Sequence, residues 1–219
     1  MKLGEAVARQ LFDTLTEVEI KPIGGGCIHQ AGKFLFDGKT YFLKWGQGAS
    51  HMFETEAQGL VLLRSTDTIG VPKVQGIGKT TTADFLCLTF VESGRSTENF
   101  WSVFGQSLAA LHQCTSETFG LDHDNYIGSL PQSNIRDRNW SEFFIHCRLM
   151  PQIKMARDRG LIDKELTNRF DQLLRVLSVL LPEEEPALLH GDLWSGNFLA
   201  DVHGQPVLYD RSCSLLWSS

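Results

Sequence analysis

Three polar residues in the C-terminal third have the types and spacing that phosphoryl transfer requires. In Leu188-Leu189-His190-Gly191-Asp192-Leu193-Trp194-Ser195-Gly196-Asn197 an aspartate is followed five positions later by an asparagine, and Asp210 comes after the next apolar stretch. Moving a phosphoryl group from a nucleotide asks a protein for positioning and charge neutralisation more than for covalent chemistry. Asp192, in a loop, can orient an acceptor hydroxyl and take its proton. Asn197, where the loop ends, can turn back to a magnesium ion, and Asp210, beyond a β-turn, supplies the carboxylate that magnesium prefers. His190-x-Asp192-x4-Asn197 followed by Asp210 has the order and spacing of a kinase catalytic loop and metal aspartate. A polar surface turn uses the same residue types. What separates the two readings is the asparagine at this offset, with an apolar strand on each side.

Upstream residues come in the order such a site needs. Gly24-Gly25-Gly26, between two strand-like runs, can bring backbone N–H groups close to phosphates, although three glycines more often mark a plain turn. Lys44 ends the run Tyr41-Phe42-Leu43-Lys44, where an ammonium can reach the α/β-phosphates; a solvated strand-end lysine is the commoner case. Glu56, in the following helix, can pair with Lys44 and fix it. Glu54 lies on a different face and competes for that place, with Glu56 preferred.

These residues need two kinds of scaffold. Up to about Glu92 the chain reads mostly as strands, beginning with the alternation Glu17-Val18-Glu19-Ile20. Lys33–Phe36 and Thr40–Lys44 flank Asp37-Gly38, a dipeptide suited to the positive φ angles of a tight hairpin. A helix opens near Ser50 as N-cap and carries Phe53, Ala57, Leu60 and Leu63 near one face; Phe85–Val91 reads as a further strand. After Gly94 the period changes to 3.6: Trp101, Phe104, Leu108 and Leu111 mark one helix, Trp140–Ala156 another, and Leu166, Phe170, Leu173, Leu177 and Leu180 a third, stopped by Pro182. Ala187–Tyr209 reads as strand, polar loop, strand, turn at His203-Gly204, strand. The expected architecture is α+β and protein-kinase-like with two lobes: an antiparallel β N-lobe over 1–92 and a helical C-lobe with the catalytic loop over 93–219.

Bulk properties exclude several classes. Of 219 residues, 42% are hydrophobic and 21% charged, a globular balance. A net charge of −6 argues against a nucleic-acid partner. No apolar run has the length of a membrane span, and the N-terminus has no secretory h-region. Five scattered cysteines without CxxC spacing fit reduced thiols, so the expected compartment is the cytoplasm.

His190-Gly191-Asp192-Leu193-Trp194-Ser195-Gly196-Asn197 resembles the signature of the fructosamine kinase (ketosamine 3-kinase) family, a branch near aminoglycoside phosphotransferases and choline kinases. Gly24-Gly25-Gly26-Cys27-Ile28, Phe53–Leu60, Phe119-Gly120 with Asp124–Gly128, Pro131–Asn134, Trp140–Phe144 and Arg148-Leu149-x-Pro151-Gln152 are similar to further family segments, so the resemblance runs from about Ile20 to Asp210. It implies ATP and Mg²⁺ as cofactors and phosphorylation of a sugar hydroxyl on a fructosamine or ribulosamine, free or protein-bound, with deglycation as the result. By the match Asp192 is the base, Asn197 and Asp210 hold metal, Lys44 and Glu56 hold ATP, and Phe90-Val91-Glu92 contacts adenine. Asn125, Tyr126 and Gln132 read on their own as turn residues; the resemblance moves them to the acceptor site. Cys27 fills a turn or, as the resemblance suggests, acts as a redox switch, giving a monomer or a redox-linked homodimer. Two other readings stay open: an aminoglycoside- or choline-type kinase, and an inactive nucleotide-binding pseudokinase.

The run after Asp210, Arg211–Ser219, departs from the family pattern of Pro-Ala, an aromatic, a Gly and then acidic residues. Shifting the reading frame by one nucleotide permits a similar pattern, so the expectation is a truncation or frameshift that leaves the C-lobe incomplete.

Overall fold

The computed structural model describes residues 2–23 and 29–209, together with the backbone of Leu216–Trp217. The chain forms two compact units. One comprises Met1–Leu111 with Gly191–Ser214, and the other His112–His190 with Leu215–Ser219.

The first unit is built on a five-stranded antiparallel sheet. Its strands are β1 (Lys21–Pro22), β2 (Gln30–Phe36), β3 (Lys39–Gly46), β4 (Val74–Lys79) and β5 (Asp84–Thr89), in the order β1-β2-β3-β5-β4. Asp37 and Gly38 turn β2 into β3 with φ of 47° and 72°, the left-handed pair that the Asp-Gly dipeptide favours. The period of two then decides which side chains meet which helix. Phe34, Tyr41, Leu43, Phe85 and Cys87 face one side and pack with Val7 and Ala8 of helix α1 (Leu3–Phe12). Lys44, the next residue after Leu43, faces the opposite side, toward helix α2 (Ser50–Ser65).

Two local expectations are corrected. The first residues form α1, with Leu3, Val7, Ala8 and Leu11 at helical spacing on the sheet, and Glu17–Ile20 is not a strand; pairing begins only at Lys21–Pro22. Pro22 is tolerated because β1 is an edge strand, where a missing N–H costs no ladder bond. At α2 the N-cap position is Ala49, and Ser50 is the first helical residue. The Ser50 N–H donates to Asp84 Oδ2 at 3.0 Å, so a carboxylate from β5 does the work of a cap.

Helix α3 (Phe100–His112) follows, and the unit is completed by the hairpin β9 (Phe198–Ala200) with β10 (Pro206–Leu208). Phe198 stacks among Phe100, Trp101 and Phe104 of α3, its ring 4.6 Å from that of Phe104. Leu208 N–H donates to Gly70 O at 2.8 Å, tying the hairpin to the segment after α2.

The second unit holds the short hairpin β6 (Asn125–Ile127) with β7 (Leu130–Gln132), helix α4 (Trp140–Phe144), one π-helical turn (Ile145–Leu149), α5 (Met150–Asp158) and α6 (Lys164–Leu180). Asn139 caps α4 by accepting from Glu142 N–H at 3.0 Å, and Asp163 caps α6 by accepting from Leu166 N–H at 2.7 Å. The single helix expected over Trp140–Ala156 is thus interrupted, and β6–β7 gave no strand signal in the sequence. β8 (Leu188–Leu189) pairs antiparallel with β11 (Leu216–Trp217).

Candidate active site

The candidate catalytic loop follows β8 in the chain, and β9 fixes its far end. Phe198 is anchored in the α3 aromatic cluster, while the Asn197 N–H donates to Trp194 O and its carbonyl accepts from Tyr209 N–H at 3.0 Å. Asn197 is fully buried. Its Nδ2 donates to Asp192 Oδ2 at 2.9 Å and to Asp192 O at 2.7 Å, so the loop closes on itself from residue 192 to residue 197. The other amide oxygen, Asn197 Oδ1, is buried with no hydrogen-bond partner among the described residues. A buried polar atom left unmatched is costly unless a ligand meets it. An amide oxygen in that state suits a hard, oxygen-seeking cation. Among the described residues no group of three or more His, Cys, Asp or Glu forms a metal cage. Trp194 is exposed, and its indole lies over Gly196, where a Cβ would clash with the ring.

In the same compact unit Lys44 Nζ and Glu56 Oε1 form an ion pair at 2.6 Å, both side chains 5% exposed. The pairing goes to Glu56 because its side chain turns inward from α2. Glu54 is exposed and instead accepts from the Ser50 hydroxyl at 3.3 Å. Beside this pair sits His29, which no sequence signal had singled out. Its ring is 4.9 Å from that of Phe53, and a Cβ on Gly46 would stand 2.7 Å from its Nδ1. Burial, and then the positive charge of Lys44, hold its pKa below the usual imidazole value, which favours the neutral ring.

Other expected positions fall as follows. Phe90 leaves the end of β5, donates its N–H to Thr40 O at 3.2 Å, and has the Lys33 ammonium 5.0 Å from its ring centroid. Val91 is half-buried and Glu92 exposed. In the second unit Asn125 and Gln132 face each other across the β6–β7 ladder, both buried, with Tyr126 half-buried next to them. Gln132 Oε1 is buried without a partner among the described residues. Gly24, Gly25, Gly26, Cys27 and Asp210 lie outside the described residues, as does most of the tail after Asp210.

The fold is that of the protein-kinase-like small-molecule kinases. The aminoglycoside phosphotransferase APH(4)-Ia, solved with AMP-PNP and hygromycin B, superposes with a TM-score of 0.66 at 17% identity, covering 99% of this chain and 72% of that one. That likeness concerns the fold alone. A protein from Thermobifida fusca, provisionally described as a fructosamine-3-kinase, superposes with a TM-score of 0.82 at 29% identity, covering 98% of this chain and 75% of the other. The fructosamine kinase family profile matches residues 2–217, and the chain belongs to that family. The protein-ribulosamine 3-kinase of Arabidopsis thaliana, a chloroplastic protein, is 37% identical over 202 residues, with 89% of this chain aligned. This chain spans 61% of that relative's length.

Proposed function

We propose that this protein is an ATP- and Mg²⁺-dependent kinase that phosphorylates a sugar hydroxyl of ketosamines, the adducts that sugars form with amines. The observation that carries the reading is the closed Asp192–Asn197 loop, in which the Asn197 amide nitrogen donates to both the backbone and the carboxylate of Asp192 and the amide oxygen is buried and unmet. In this reading Asn197 holds the Asp192 carboxylate in one orientation. Asp192 then orients the acceptor hydroxyl and receives its proton as the oxygen attacks the terminal phosphorus. Lys44, steadied by Glu56, contacts the nucleotide phosphates, the Gly24–Gly26 backbone covers them, and Phe90–Glu92 borders the adenine. Asn197 Oδ1 and Asp210 would hold Mg²⁺, which when bound neutralises phosphate charge. Asn125, Tyr126 and Gln132 belong to the acceptor side. The relative's name supports a ribulosamine as acceptor, free or protein-bound, with deglycation as the outcome. A nucleotide-binding lobe over 1–92 and a helical lobe over 93–219 divide these tasks.

No helix of the described residues is long and apolar enough to cross a membrane. Cys87 and Cys147 are buried free thiols, which supports a reducing compartment such as the cytoplasm.

The deciding experiment is ATP consumption by the purified chain with a synthetic ribulosamine or fructosamine, beside Asp192→Asn. Turnover that requires the ketosamine and disappears in the variant supports the proposal. Equal turnover with an aminoglycoside or choline, or nucleotide binding without any turnover, overturns it.

A further inference from the structure

The π-helical turn carries a buried cation that the roles above leave unused. Ile145–Leu149 is widened by one residue, its Ile145 carbonyl accepting from Met150 N–H, and three of its five residues, Ile145, Cys147 and Arg148, are buried. The Arg148 guanidinium donates to Ser133 O at 2.6 Å, to Asn134 Oδ1 at 2.6 Å and to Cys147 O at 2.9 Å, and lies 4.6 Å from the centroid of the Phe143 ring. Among the described residues no carboxylate pairs with it. Desolvation lowers its pKa to about 10, which leaves it charged at neutral pH. The Asp124 carboxylate favours this charge without a direct ion pair, and a buried cation so weakly compensated is not explained by packing, since an apolar side chain of similar volume usually serves stability as well or better.

What it does hold is specific. Ser133 and Asn134 directly follow Gln132. Asn134 in turn donates from Nδ2 to Asn125 Oδ1 at 3.1 Å and to His123 O at 2.8 Å, while its N–H donates to Asp124 Oδ1 at 2.8 Å. One planar fork therefore grips the strand exit beside Gln132 and, through Asn134, the strand entry beside Asn125. The widened turn lies just before Pro151, which has no N–H for Cys147 O, and that carbonyl accepts from Arg148 instead.

We propose that Arg148 is a positioning residue that locks both ends of the β6–β7 hairpin and thereby sets the affinity for the acceptor. The acceptor half rests on the reading that Asn125, Tyr126 and Gln132 face the ketosamine. A lysine keeps the charge but lacks the two-pronged geometry, so it cannot reach Ser133 O and Asn134 Oδ1 together.

The test compares wild type, Arg148→Lys and Asn134→Ala as full chains, by amide hydrogen exchange and by steady-state kinetics with a synthetic ribulosamine. Losing a charge-assisted hydrogen bond should speed exchange over residues 125–132 by at least about tenfold in both variants, with β2 and β3 unchanged. KM for the ribulosamine should rise by a similar factor, while KM for ATP stays within about twofold. Unchanged hairpin exchange overturns the clamp, and so does exchange that accelerates equally in β2 and β3, which would mean global destabilisation. An altered hairpin with an unaltered acceptor KM overturns the specificity role. If wild type turns over no ketosamine, the kinase reading and the acceptor role fall together, and exchange alone decides the clamp.

Discussion

Replacing Lys44 by methionine separates what its ion pair does for stability from what it does for chemistry. At 2.6 Å and an effective dielectric of about 20 the attraction to Glu56 is about 6 kcal/mol. Much of that only offsets the desolvation of two groups that are each 5% exposed. Lys44→Met keeps the desolvation of Glu56 and removes its cation, which should cost about 3–5 kcal/mol, a large share of the roughly 5–15 kcal/mol that holds a typical protein folded. Lys44→Met/Glu56→Leu removes both charges and should recover most of that loss. Turnover should behave differently, with kcat/KM falling at least about 100-fold in the single and the double variant alike, because neither presents an ammonium to phosphate. The assays are urea denaturation and ketosamine-dependent ATP consumption. A single variant within about 1 kcal/mol of wild type would refute the energetic argument. A double variant that regained turnover would refute the assignment of Lys44 to the nucleotide.

Three further outcomes follow from the geometry. Asn197→Ala strips Asp192 of two donated hydrogen bonds and removes the unmet Oδ1, so kcat should drop at least about 100-fold and the Mg²⁺ concentration for half-maximal rate should rise about 10–100-fold, read from a magnesium titration. Gly120→Ala places a Cβ 2.7 Å from Asn134 O at a φ of 88°, and should lower stability by about 1–3 kcal/mol in thermal unfolding. Burial pushes the Cys87 thiol up to about 12, so its stabilising contribution is complete below pH 9 and is lost as pH rises toward 12. His29, shifted downward, contributes stability above pH 6.5 that is lost as pH falls below it. Denaturation curves from pH 5 to 11 should therefore be flatter on the alkaline side in Cys87→Ala and on the acid side in His29→Gln.

Features carried by local chemistry could be read from the sequence, and features set by tertiary contact could not. The Asp37-Gly38 turn, the alternation through Tyr41–Lys44 and the helical stripe of α6 need only neighbouring residues to specify them. The order of Lys44, Glu56 and Asp192-x4-Asn197 was legible for a similar reason, since Lys44 and Glu56 lie inside elements whose period announces them and Asn197 stands just before a strand. Glu56 was preferred over Glu54 from helix face alone, and the fold supplies the pairing itself: Glu56 meets Lys44 while Glu54 meets Ser50. Helix α1 was obscured for a physical reason as well. Its apolar contacts, Leu3, Val7 and Leu11, fall once per turn, a thin signal next to the tighter alternation of Glu17–Ile20, which looks like a strand yet finds no partner.

The π-helical turn marks where such reading stops. Trp140–Ala156 reads as one amphipathic run, yet Pro151 within it has no N–H to offer Cys147 O, which accepts from Arg148 instead. What the fold adds is the use made of the turn: Arg148 meets Ser133 O and Asn134 Oδ1, partners fifteen and fourteen residues away that only the folded hairpin brings into reach. The same holds for the polar atoms that carry the functional argument. Asn197 Oδ1 is informative because the fold buries it and leaves it unmet, and the asparagine at that offset could not convey this alone. Sequence can therefore nominate the residues of a phosphoryl-transfer site by order and spacing, whereas the cost of holding them in place shows only where the structure leaves a charge or an oxygen unbalanced.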